Sequence, residues 1–143
     1  MKPRSGPPDA PVLLLVEDDP NDQRLLRLAL RDPSPRLSVD VAPEGESAVA
    51  YLARMLENGA SRPRPFLVLS DIHLPGLSGW DLLAWVRARP EFDRLPVLLW
   101  TSLPNPEGKD RALRLGAAGY LGKPRDLNGY RRLAERVTRL LGD

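Results

Sequence analysis

Five short apolar runs, each followed by a segment of helical periodicity, leave this chain few ways to fold. The runs fall at about 12–17, 37–41, 66–70, 96–101 and 118–122. Each is the length of a buried strand and too short for a helix. Asp19-Pro20 reads as a helix start, with Asp as N-cap and Pro in the first position, and Leu25, Leu26, Leu28 and Ala29 mark one apolar face. A second helix over 44–57 carries Ala48, Leu52 and Met55 and stops at Asn58-Gly59. A third, over 79–88, stops before Pro90, and a fourth, over 106–115, ends at Gly116. After Asp126 the last helix places Tyr130, Leu133, Ala134, Val137, Leu140 and Leu141 at helical spacing. Strict strand–helix alternation predicts a parallel sheet covered on both faces, with right-handed crossovers. Such sheets bind ligands beyond the carboxyl ends of their strands, where strand order reverses. In a 2-1-3-4-5 order the first and third strands flank that point.

At 143 residues the chain has one domain's worth of core, expected over 12–143 behind a flexible Pro-rich leader at 1–11. Zero cysteines exclude disulfides and thiolate metal sites and fit a reducing cytoplasm. No apolar stretch approaches the ~18 residues of a membrane span, and no export signal is visible, so a cytoplasmic protein without membrane contact is expected. Net charge is only +2. The arginines are spread along helices with acids among them, which predicts solvated faces and no nucleic-acid partner.

The chemistry sits at the ends of the apolar runs. Glu17-Asp18 follows the first, Asp71 the third, Thr101-Ser102 the fourth and Lys123-Pro124 the fifth. Carboxylates crowded together repel unless a cation lies among them, and oxygen-only donors suit Mg²⁺. Asp18 and Asp71 are read as direct ligands, Glu17 as a ligand through water, and the His73 backbone carbonyl as a further donor. Taken alone, Glu17-Asp18 is equally a solvated helix entrance, and Asp71 alone could simply open the loop at Leu74-Pro75-Gly76. A carboxylate can also attack phosphorus to give an aspartyl phosphate. Phosphoryl transfer chiefly needs positioning and charge neutralisation, which Mg²⁺ and the Lys123 ammonium would supply. Lys123-Pro124 is expected to form a fixed turn with a cis peptide bond. Trp80, Trp85 and Trp100 are expected to pack, with no binding role.

Taken in order and at this spacing, Glu17-Asp18, Asp71 in Ser-Asp-Ile-His-Leu-Pro-Gly-Leu-Ser-Gly, Thr101-Ser102 and Tyr120-Leu-Gly-Lys123-Pro124 resemble a response regulator receiver domain. The resemblance runs from about Val12 to Leu141. It implies a flavodoxin-like doubly wound (βα)5 fold, α/β, with a parallel five-stranded sheet in the order 2-1-3-4-5, and that order is in part the family's. It also implies a partner histidine kinase or phosphotransfer protein whose phosphohistidine gives its phosphoryl group to Asp71 with Mg²⁺ bound. Thr101, Ser102, Tyr120 and Lys123 would then form the phosphoryl-binding and switch set. The surface of the fourth helix, fifth strand and fifth helix would change. The module catalyses only its own phosphorylation and dephosphorylation.

No output domain is expected, since the last helical pattern ends two residues before the last residue. The long Glu57–Pro65 connection is similar to single-domain receivers paired with phytochrome-type kinases. A homodimer through the fourth helix, fifth strand and fifth helix, or through the first and fifth helices, is a further expectation. Ala118-Gly119 stands where dimerising receivers often carry acids. An Asp-nucleophile phosphatase of the haloacid dehalogenase type would want a second Asp where this chain has His73. A flavin module would want a phosphate cradle where Glu17-Asp18-Asp19 repel phosphate.

Overall fold

The computed structural model describes residues 10–57 and 65–141. The expected helix stop at Asn58-Gly59, most of the 57–65 connection, and leader residues 1–9 lie outside the described residues. Ala10 and Pro11 are part of the fold and not of a flexible leader. Ala10 is buried, and the Pro11 carbonyl accepts a hydrogen bond from the Ser38 N–H at 2.8 Å.

The elements alternate as expected: β1 (Val12–Val16), α1 (Pro20–Arg31), β2 (Ser38–Ala42), α2 (Gly45–Glu57), β3 (Leu67–Asp71), α3 (Gly79–Arg87), β4 (Val97–Thr101), α4 (Pro106–Arg114), β5 (Gly119–Gly122) and α5 (Leu127–Leu140). All strand pairs are parallel and the order is β2-β1-β3-β4-β5. The three central strands β1, β3 and β4 are buried at every residue, which is why their sequences read as continuous apolar runs. Successive side chains leave opposite faces. Leu14, Val16, Val68, Val97 and Leu99 join α2, α3 and α4 on one side. Leu13, Leu15, Leu67, Leu69, Leu98 and Trp100 join α1 and α5 on the other. Burying each leucine side chain contributes roughly 1.5–3 kcal/mol, so the sheet is the stiff part of the molecule.

Helix starts are set by short polar side chains. Asp19 accepts from the Asn21 N–H at 2.8 Å, with Pro20 opening α1 as expected. Asn105 caps α4 and Asp126 caps α5 in the same way. Ser78 and Asp81 form a reciprocal capping box at α3. α4 ends at Arg114, and Gly116 two residues beyond has a left-handed φ of +94°, a conformation costly for any side chain. One expected face is corrected: α1 buries Leu26 and Leu30, whereas Leu28 is 46% exposed, because at 100° per residue it points nearly opposite Leu26.

Register brings the functional strand ends level. Val16 lies opposite Ser70, so Glu17 and Asp71 follow side by side. Asp71 belongs to β3, one residue beyond the expected strand end, and pairs with Trp100, so Thr101 comes next on β4. Thr101 pairs with Gly122, and Lys123 follows.

Gly79 is what lets α3 close onto this edge. A Cβ there would sit 2.4 Å from the Asp71 carbonyl oxygen and 2.8 Å from the Ile72 Cα, both backbone atoms. Gly79→Ala is therefore expected to lower stability by roughly 1–3 kcal/mol, the cost of overpacking against a backbone that cannot move aside. The urea midpoint checks this, and a midpoint equal to that of the parent would contradict it.

Candidate functional site

The carboxyl ends of β1, β3 and β5 deliver their charged residues to one place. Glu17 is wholly buried and Asp71 nearly so, while Asp18 is exposed at the rim. One carboxylate oxygen from each of the three lies within 4.8 Å of the others. Lys123 reaches in from the end of β5, with Nζ 2.9 Å from Glu17 Oε1, Asp22 Oδ2 and Asp71 Oδ2. It donates hydrogen bonds to Asp22 and Asp71. The Trp100 ring forms the floor, 5.2 Å from Nζ, a cation–π contact.

Local bonds fix these groups. Asp71 Oδ1 accepts from the His73 N–H at 3.0 Å, leaving Oδ2 to Lys123. Glu17 Oε2 accepts from the Asp19 N–H at 3.1 Å, and the Glu17 carbonyl accepts from Gln23 Nε2 at 2.7 Å. Strand end and helix start are thus held as one unit. Thr101 is buried, and its hydroxyl accepts from the Leu103 N–H at 3.2 Å. Ser102 is exposed beside it. The Tyr120 hydroxyl accepts from the Asn105 N–H at 3.1 Å, tying β5 to the loop that starts α4. Gly108 packs so closely on Tyr120 that a Cβ there would meet the hydroxyl at 2.5 Å. A cleft of about 240 Å³ separates this aromatic from the rim, lined by His73, Trp80, Thr101 and Leu103 among others. His73 is exposed there.

Burial drives the Glu17 carboxyl from 4.5 up to about 7, against the opposing pull of Lys123 and the Asp19 N–H and with the Asp71 charge adding to the rise. Burial alone would lower the Lys123 pKa, but Asp71, Glu17 and Asp22 together outweigh it and hold the ammonium above its ordinary range. Glu17 Oε1 is fully buried and meets the Lys123 ammonium at 2.9 Å, a cation it shares with Asp22 and Asp71. Three carboxylate oxygens within 4.8 Å of one another, two of them sharing a single ammonium, are the oxygen-only donor set that suits a hard divalent cation, so the residues present fit Mg²⁺.

Two corrections and one addition concern the expected site. The cis bond at Lys123-Pro124 is absent: no peptide bond among the described residues is cis. The Lys123 N–H donates to the Thr101 carbonyl at 2.8 Å, its ammonium is held by the carboxylates, and trans is the isomer an X–Pro bond ordinarily prefers, by roughly 0.5–1 kcal/mol. Trp100, expected only to pack, also faces the ammonium. The addition is Asp22. An acid in a first helical turn is ordinary dipole chemistry, and only its proximity to Lys123 across 101 positions sets it apart.

The raised Glu17 pKa has a consequence for stability without metal. The folded protein keeps this proton up to about 7, whereas the unfolded chain releases it near 4.5. The contribution is fully present below 4.5 and is lost as pH rises through 7. It amounts to about 3 kcal/mol. Urea unfolding at pH 5 and pH 8 in chelator is expected to show this fall in the parent and to lose most of it in Glu17→Gln. The same pH slope in both proteins would contradict it.

Comparisons with known proteins agree with this geometry. The sequence profile of the response regulator receiver domain matches residues 13–135. Response regulator Rcp1 of Synechocystis sp. (strain ATCC 27184 / PCC 6803 / Kazusa) is 31% identical over 137 residues, covering 96% of this chain and 91% of that protein. The phosphorylated cyanobacterial phytochrome response regulator RcpA superposes with a TM-score of 0.80 at 28% identity, covering 93% of this chain and 95% of that one. The Mn²⁺-bound form of Rcp1 gives a TM-score of 0.76 at 30% identity, covering 89% and 91%. An acidic trio, a strand-end lysine and a 2-1-3-4-5 parallel sheet thus occur here in a chain that belongs to the response regulator receiver domain family.

Proposed function

We propose that this receiver accepts a phosphoryl group on Asp71 from a partner histidine kinase or phosphotransfer protein, and that phosphorylation changes its α4–β5–α5 surface. The observation that carries the reading is the meeting of Asp71, Glu17 and Lys123 at the strand ends, with Lys123 Nζ 2.9 Å from both carboxylates. An Asp71 carboxylate oxygen attacks phosphorus, and the bond from phosphorus to the donor imidazole breaks with its electron pair going to nitrogen. Asp71 is buried among fixed neighbours, so its orientation is set before a donor arrives. Glu17, Asp18, Asp71 and the His73 carbonyl would hold Mg²⁺, which when bound neutralises charge on the phosphoryl oxygens. The Lys123 ammonium stands ready for one of those oxygens.

Thr101, Ser102 and Tyr120 make the readout. The Thr101 hydroxyl is held by Leu103 and the Tyr120 hydroxyl by Asn105. A phosphoryl group that draws in the Thr101 hydroxyl would therefore pull on the loop that Tyr120 braces, the electrostatic kind of switch that phosphorylation usually works. Exposed Leu103, in the loop before α4, and Leu113, on α4, offer apolar side chains to a protein target or a second copy of the chain, and exposed Leu127 lines the groove between α1 and α5 with Leu25 and Leu28. A homodimer there or through α1 and α5, a phytochrome-type kinase as donor and a cytoplasmic location belong to the same reading. The similarity to Rcp1 and RcpA supports the kinase assignment.

Incubation with acetyl phosphate and Mg²⁺, followed by intact-mass measurement, is expected to give one phosphoryl adduct in the parent and none in Asp71→Asn. Thr101→Ala is expected to take up the group yet lose most of the amide-shift changes on α4, β5 and α5. Continuous turnover of a phosphate ester, or an adduct on Asp71→Asn, would overturn the acceptor role. An unchanged shift map in Thr101→Ala would overturn the switch.

A further inference from the structure

We infer that Asp22 is a positioning residue that holds the Lys123 ammonium on the α1 side of the site and so keeps it from competing with the divalent cation. This rests on the metal reading above. The ammonium has three carboxylate neighbours, each at 2.9 Å. Two of them, Glu17 and Asp71, belong to the trio whose oxygens lie within 4.8 Å of one another. Asp22 is outside that trio and is free to serve Lys123 alone. A cation drawing on Glu17 and Asp71 takes two of the three partners away, and Asp22 is the one that remains.

The geometry keeps Asp22 in place. It sits in the first turn of α1, and that turn is pinned to Glu17 at the end of β1 by the Asp19 N–H on Glu17 Oε2 and by Gln23 Nε2 on the Glu17 carbonyl. The Asp22 side chain is 20% exposed and Lys123 is 11% exposed, so their attraction is only partly screened. Trp100 closes the floor below the ammonium, which leaves Nζ to move sideways. It can lean toward Asp22, or toward Glu17 and Asp71. Without the Asp22 charge only the second choice is left, and the ammonium then occupies the oxygens that the cation needs.

A double-mutant cycle read by Mg²⁺ affinity separates this role from a general loss of negative charge or of structure. Mg²⁺ alone is titrated into the parent, Asp22→Asn, Lys123→Ala and the double variant, followed by tryptophan fluorescence and by the amide shifts of residues 17–19 and 71–73. Asp22→Asn is close to isosteric. Lys123→Met replaces Lys123→Ala if the latter does not give a folded spectrum. In the parent background Asp22→Asn is expected to weaken Mg²⁺ roughly threefold or more, and with Lys123 removed less than about twofold. Equal weakening in both backgrounds, or none in the parent background, overturns the inference while leaving the metal site standing. Absence of Mg²⁺ binding by the parent overturns the metal reading and this inference with it.

Discussion

The ammonium of Lys123 among three carboxylates is the interaction on which the rest of the site depends. It is the counter-charge that permits Glu17 and Asp71 to lie buried at the end of a hydrophobic sheet. Losing one partner of a buried charge pair leaves the other uncompensated, at a cost of several kcal/mol. The cluster therefore fixes three strand ends relative to one another. It also stays electrically incomplete, because one lysine faces three acids. That shortfall of positive charge is the driving force for binding a cation.

Under the proposed function, the sheet would convert this local electrostatics into something a partner can detect. β1, β3 and β4 are buried throughout and have little freedom to move. The loop beyond β4 is tied by individual hydrogen bonds, among them Leu103 N–H to Thr101 and Asn105 N–H to Tyr120. A net bond of this kind is worth only about 1 kcal/mol. A phosphoryl group carries enough charge to rearrange such bonds while the core stays fixed. Stiff strands with lightly tied loops at one edge are a sound design for a switch.

Much of this was legible in the sequence because a doubly covered sheet writes its strands as unbroken apolar runs. Val12 to Val16 and Val97 to Thr101 could hardly be anything else, and whatever follows such a run must emerge at the carboxyl edge. Glu17, Asp71, Thr101 and Lys123 were found by that rule. Asp22 and Gly79 were not, because their roles depend on contacts across the fold. An acid in a helix start and a glycine after serine look ordinary until Lys123 and the Asp71 carbonyl are seen beside them. The Lys123-Pro124 bond was misread because a dipeptide cannot decide an equilibrium of under about 1 kcal/mol.

The central claim is that chemistry occurs at Asp71 and nowhere else on the chain. An acyl phosphate is reduced by borohydride to an alcohol, whereas phosphoserine and phosphohistidine are not. Phosphorylated protein treated in this way and mapped by peptide mass is predicted to carry homoserine at position 71 alone. Homoserine at Asp18 or Asp22, 2-amino-5-hydroxypentanoic acid at Glu17, or phosphate retained on a serine or on His73, would contradict the account.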